Sequence, residues 1–219
     1  MGKPSLKSPD AQLDIREDNQ QVYDNIRSLV STVDKYFGSS MHHFGGDEVA
    51  YMWDTEDDNK LFNKFLNWLK TLEPKKSVIL WDDPLTDPEK DIQLDKDWII
   101  QTWHEGTTQK MLDKGHRVIV SEANAFYIGN ADYDTVSSFK FPEDPNVMGF
   151  ELAWFTSQDD DPKDLDESWV IEPLKAASKI RRSSSDSDSQ DAPGAGKWAA
   201  SPAAWHILLC TVLAVALGL

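Results

Sequence analysis

Apolar residues fall into two alternating rhythms between about Leu13 and Ile180. Val22, Ile26, Leu29, Val30, Val33 and Phe37 stand mostly three and four apart, which lines one face of a helix; Asp18 is placed to cap its start and Gly38 to stop it. A short apolar run from Met41 to Phe44 follows. Leu61, Phe62, Phe65, Leu66, Leu69 and Leu72 then trace a second helix that Pro74 closes. Beyond it, Val78–Trp81 and Trp98–Trp103 predict strands, and Thr107–Lys114 a short helix stopped by Gly115. Val118–Val120 predicts a fourth strand, Val147–Ala153 a fifth, and Leu165–Ile180 a closing helix interrupted or kinked at Pro173. Residues 122–146, between the last two strands, predict a long loop and hence a candidate functional segment.

Strands this short and apolar, separated by amphipathic helices, predict a parallel sheet buried on both faces, either doubly wound or closed into a barrel. The position of the unusual residues favours the barrel. Asp47 and Glu48, Trp81 and Asp82, Trp103 and His104, and Glu122 all fall at or just past the C-terminal ends of their strands, the face on which barrels assemble chemistry from several strands. The expected organisation is a disordered start at 1–12, an α/β domain at 13–180, an acidic low-complexity linker at 181–197 and a hydrophobic tail at 198–219.

Composition narrows the function. The 219 residues carry 38 acidic and 22 basic side chains, a net charge of −16, which repels phosphate backbones. No stripe of Lys and Arg interleaved with aromatics offsets it, so nucleic acid is not an expected partner and a neutral ligand suits the chain better. Cys210 is the single cysteine, which excludes an internal disulfide framework and a cysteine-based zinc site. The start, Met1 to Lys7, has no apolar segment after its basic residues and does not read as a secretory signal.

The sharpest chemical signal is His43-Phe44-Gly45-Gly46-Asp47-Glu48-Val49. Neighbouring strand residues point to opposite faces, so two adjacent carboxylates reach one pocket only where the strand ends, and two glycines permit the irregular backbone this needs. Standing alone, the heptad would also fit a surface turn; its place after an apolar run argues for a site. Each tryptophan taken singly reads first as core filling, though three at strand ends are harder to dismiss, and His43 reads first as a hydrogen-bonded strand residue. His42, His104 and His116 read as structural or solvated.

This heptad resembles the signature of family 20 glycoside hydrolases, the β-N-acetylhexosaminidases, and the similarity runs from about Leu13 to Ile180. Trp81, Trp103, Phe126-Tyr127 and the pair Trp154-Phe155 follow in the family's order. The resemblance implies hydrolysis of terminal N-acetylglucosamine or N-acetylgalactosamine with retention, the sugar's acetamido oxygen serving as nucleophile, in contrast to the two-carboxylate scheme. It implies Glu48 as general acid and base, Asp47 as acceptor of the acetamido N–H, Tyr127 as donor to the acetamido oxygen, and His43, Trp81, Trp103, Trp154 and Phe155 as substrate-binding residues. No cofactor or metal is called for. An acid working near neutral pH needs a raised pKa, which an aromatic, poorly hydrated pocket would supply.

Two positions depart from that pattern. Gly129 stands where an aspartate is expected after the tyrosine, and Ser157 where a carboxylate is expected if Phe155 takes the last pocket tryptophan's place. Asp132, Asp134 and Glu122 are the candidate substitutes. The resemblance also makes the Gly-Gly-Asp-Glu strand the fourth of eight. The expected fold is then a partial (β/α)8 TIM barrel, approximately strands four to eight, without the strands that carry a substrate-binding arginine. An incomplete sequence explains this best; a half that pairs with another chain, for example as a homodimer, and a degenerate inactive paralogue are the alternatives. The small residues from Ser189 to Gly196 and the apolar run from Trp205 to Leu219 resemble a glycosylphosphatidylinositol attachment signal, which implies a cell-surface protein. A second function class stays open: a noncatalytic, membrane-tethered carbohydrate-binding or scaffold protein.

Overall fold

The computed structural model describes residues 13, 15–16, 18–48, 56–72, 74–86, 92–155 and 167–180. Five strands, β1 (Met41–His43), β2 (Ser77–Trp81), β3 (Ile99–Thr102), β4 (Arg117–Val120) and β5 (Val147–Phe150), form one sheet in the order β1-β2-β3-β4-β5. Every pairing is parallel. Sequential parallel neighbours joined by helical crossovers are the topology of a (β/α) barrel wall. A register shift between Val118 and Ile119 marks the β4–β5 pairing.

The helices are α1 (Gln20–Phe37), α2 (Glu56–Leu72), α3 (Asp83–Thr86), α4 (Thr108–Asp113), α5 (Ala123–Phe126), α6 (Tyr133–Ser138) and α7 (Ser168–Ala177). Gly38 stops α1 as expected, in the left-handed conformation (φ +55°) with its N–H on the carbonyl of Asp34. The start differs: Asn19, not Asp18, occupies the cap position and makes no side-chain cap bond. The expected loop at 122–146 contains α5 and α6. α7 runs through Pro173 to Ala177, so the proline does not interrupt it.

Burial follows the strand period of two. Val78 and Leu80, Trp98 and Ile100, and Val118 and Val120 join Phe62, Leu66 and Leu69 of α2 in one apolar core on the helix side of the sheet. Ile79, Trp81, Ile99 and Gln101 alternate with them and are also buried. Tyr23 of α1 packs edge-on against Phe65 and Trp68 of α2, with centroids 6.0 and 4.6 Å away. Much of the α1 stripe is nonetheless uncovered: Val30 is buried, but Leu29 and Phe37 are exposed. Among the described residues β1 and β5 are the sheet edges, and no helix is long and apolar enough to cross a membrane. Residues 181–219, with the linker and the hydrophobic tail, lie outside the described residues.

Candidate active site

Each strand delivers polar or aromatic residues to the same end of the sheet. Past β1 the parallel pairing continues, Phe44 donating to the carbonyl of Ile79 and Trp81 to that of Gly45, both at 2.9 Å. Gly45 (φ +72°) and Gly46 (φ +86°) then turn the chain, and the Gly45 N–H caps His43 Nδ1 at 2.9 Å. Glu48 is itself left-handed at φ +55°, the single non-glycine residue with positive φ among those described, a conformation that costs an ordinary side chain energy. This backbone departs from strand alternation, which would have aimed the carboxylates of Asp47 and Glu48 to opposite faces.

Asp82 and Asp83, just past β2, organise the surroundings. Asp82 is fully buried and accepts from His104 Nδ1 at 3.0 Å, the Trp103 N–H at 3.3 Å and Thr107 Oγ1 at 2.5 Å. Asp83, also buried, accepts from the Glu48 N–H at 2.7 Å on Oδ1 and from Trp103 Nε1 at 2.5 Å on Oδ2. Burial pushes the Asp83 carboxyl above its usual range, while the Trp103 and Glu48 hydrogen bonds pull it back. Ligand atoms of Asp82, Asp83 and His104 lie within 4.8 Å of one another. All four carboxylate oxygens accept protein donors.

The aromatic residues do not all converge. The ring of Trp81 lies 5.1 Å from that of His43. Trp103 stacks on Tyr127 at 6.4 Å and 15° between planes, and Phe155 meets the same tyrosine at 4.9 Å. Trp154 instead packs edge-on against Trp169 of α7 at 5.7 Å, so Phe155 is the ring beside the tyrosine. Burial, followed by the negative charges of Asp47, Asp82, Asp83 and Glu151, holds the Tyr127 phenol far above its usual pKa. It is therefore a neutral O–H donor over any working pH, and Asp47 lies close enough to act on it.

His43 and Gln101 form a polar seam below this group. Gln101 bonds to His43, to Glu151 and, through Nε2, to Ser121 Oγ at 2.9 Å. His43 is exposed at the β1 edge, yet the protein atoms crowded around its ring desolvate it and lower its pKa to about 4, against the Gln101 hydrogen bond. Burial raises the Glu151 carboxyl. Two further histidines among the described residues are held in the fold: His42 is buried on Asp34 at 3.0 Å, and His116 is buried on the carbonyl of Trp98 at 3.1 Å.

Three expectations about the rim change. Asp47 and Glu48 are both exposed, so the described residues do not supply the dry enclosure anticipated around the acid. The departure at Gly129 has a backbone cause, since φ is +104° there, a conformation that side chains with a Cβ rarely adopt. Two candidate substitutes are engaged elsewhere: Asp132 caps α6 through Thr135, and Glu122 accepts from Thr108 Oγ1 and the Gly106 N–H. Asp134 sits exposed on α6; Ser157 lies outside the described residues. The sequence did not point to Asp83 or Gln101, though a glutamine inside an apolar strand was a readable signal for the latter.

Residues 3–168 match the model described as "Glycosyl hydrolase family 20, catalytic domain". A curated β-hexosaminidase from Emericella nidulans is 25% identical over 146 residues, which cover 57% of this chain and 24% of that protein. Among solved structures, Dispersin B superposes with a TM-score of 0.54 at 18% identity, over 78% of this chain and 62% of that one. The likeness to Dispersin B concerns the fold. The chain spans about a quarter of the length of the fungal relative and under two thirds of the length of Dispersin B.

Proposed function

The chain belongs to glycosyl hydrolase family 20, and from that premise we propose that its site acts on glycans ending in β-linked N-acetylglucosamine or N-acetylgalactosamine by substrate-assisted, retaining hydrolysis. In this reading the acetamido carbonyl oxygen attacks the anomeric carbon as the glycosidic bond breaks, and Glu48 gives its proton to the leaving oxygen. Asp47 accepts the acetamido N–H and balances the positive charge of the oxazolinium ion. Tyr127 donates its O–H to the acetamido oxygen, Trp103 and Phe155 offer faces to the apolar side of the sugar, and Trp81, itself buried, backs the site behind His43. Glu48, now ionised, takes a proton from water as the water's oxygen bonds to the anomeric carbon, which regenerates the acetamide with configuration retained.

One observation carries the proposal: the adjacent acids leave β1 on a left-handed glycine turn, and the field of Asp47 reaches a phenol kept neutral between Trp103 and Phe155. The net charge of −16 agrees with a neutral substrate. The exposed carboxylates and open edge of β1 agree with a chain that turns over slowly alone and that further strands, from a longer form or a second copy, would enclose. We extend the proposal to location: the sequence at 189–219 fits a cleaved glycosylphosphatidylinositol signal and so a cell-surface enzyme.

A chromogenic N-acetyl-β-glucosaminide tests the chemistry. Glu48→Gln is expected to lower kcat by about 10²- to 10⁴-fold, the usual contribution of general acid–base catalysis. A rate that survives Glu48→Gln combined with Asp47→Asn would contradict these roles, whereas sugar binding with no turnover in any form would favour the scaffold reading.

A further inference from the structure

We propose that Asp83 is a positioning residue, a buried carboxylate that fixes the acid-bearing turn at Glu48 and the Trp103 wall of the pocket in one geometry; this rests on the roles proposed above for those two residues. Glu48 holds a left-handed conformation at φ +55° with no glycine to relieve it. Such a residue persists only where its surroundings over-determine it. The bond that does so is from its own N–H to Asp83 Oδ1 at 2.7 Å, across 35 residues of sequence. The second oxygen is taken by Trp103 Nε1 at 2.5 Å. Asp83 lies at the start of α3, after β2, so one side chain joins the loops that follow β1, β2 and β3.

The residue type follows from the geometry. Both donors approach separate oxygens of a group that is 4% exposed, and only a carboxylate accepts on both. An asparagine would turn its NH2 toward one of the donors and leave buried polar atoms facing each other. The preceding Asp82 cannot stand in, because its oxygens are held by Trp103 N–H, His104 and Thr107. Glu48 could otherwise relax toward the ordinary right-handed region and carry its carboxyl away from the rim, and the indole of Trp103 could tilt off Tyr127.

Proton–nitrogen correlation spectra of the full chain, followed through the carboxylate range from about pH 7 to about pH 3.5, read both donors directly. The titratable groups facing Asp83 are Asp82 on its own loop, His104 beyond β3, Glu48 beyond β1, and Tyr127. The Glu48 amide and Trp103 indole resonances are expected to move together with one midpoint. Asp83→Asn should abolish that shared transition and speed exchange of the Glu48 amide about 10- to 100-fold, the scale of a lost hydrogen bond to a charged group. Trp103→Phe, which keeps Asp83, should raise the midpoint seen at the Glu48 amide, and it decides the matter if Asp83→Asn does not fold. Glu48→Gln should leave the shared transition in place while removing hydrolysis, so a failure of the catalytic roles is told apart from a failure of the positioning role. Separate midpoints for the two resonances, unchanged Glu48 exchange in Asp83→Asn, or an unmoved midpoint in Trp103→Phe would overturn the proposal.

Discussion

A Cβ added to Gly46 would lie 2.7 Å from Cδ1 of Leu80, and Leu80 is fully buried in the core, so it has no room to give way. The residue also sits at φ +86°, where any L side chain is strained. Gly46→Ala is therefore expected to cost about 1–3 kcal/mol, read as a lower urea midpoint at an unchanged slope; a midpoint equal to the wild type would contradict the constraint. At this scale the sequence was informative where a residue's type is its message. Gly45-Gly46-Asp47-Glu48 announced an irregular strand end with two acids. It could not announce that Glu48 is left-handed as well, or that Asp83 rather than Asp82 meets its amide, because that bond depends on how the loops after β1 and β2 fall together. That Phe155 rather than Trp154 lies beside Tyr127 was likewise not legible, because it depends on Trp169 of α7 packing against the tryptophan.

Between elements, His116 ties the starts of β3 and β4 through its bond to the Trp98 carbonyl at 3.1 Å. Burial is the main cause of its lowered pKa, with Lys114 and Lys96 adding to it and the Trp98 bond opposing. A histidine whose folded pKa lies below its unfolded value of about 6.5 binds its proton more readily when unfolded. Stability is then complete above about pH 6.5 and declines as pH falls from there toward the folded value, by up to about 1.4 kcal/mol per pH unit for one proton. His43, lowered to about 4, contributes in the same direction, less for its exposure. Thermal melts of the wild type should thus fall more steeply between about pH 6.5 and about pH 5 than those of His116→Gln; parallel curves would contradict this. β2 to β5 were readable because each is mostly apolar, β1 only from Met41 and Phe44 flanking its two histidines, and α1 and α2 because their stripes persist for four turns or more. α3, α5 and α6, of four to six residues, show no helical period; α4 is as short as α6 but was legible because Gly115 marks its stop. α1 shows the limit of pattern: its stripe correctly gave a helix, but Tyr36 and Phe37 at its end are exposed.

Taken whole, the described residues form one wall of a barrel, with β1 and β5 as open edges and the two acids exposed beside the β1 edge. Unpaired edges invite further strands, and the site is the part of the molecule that such strands would enclose. The parallel architecture was legible from apolar strands alternating with amphipathic helices and the family from one heptad and four aromatic landmarks, while the openness of the site was not, because enclosure depends on what faces these residues rather than on the residues themselves. The central claim is that Asp47, Tyr127 and the neighbouring rings recognise an acetamido group. Calorimetric titration of the full chain with N-acetylglucosamine thiazoline tests it without requiring turnover. One saturable site is expected, weakened about 10- to 100-fold by Asp47→Asn through loss of a charge-assisted hydrogen bond; no binding, or an affinity that Asp47→Asn leaves unchanged, would contradict it.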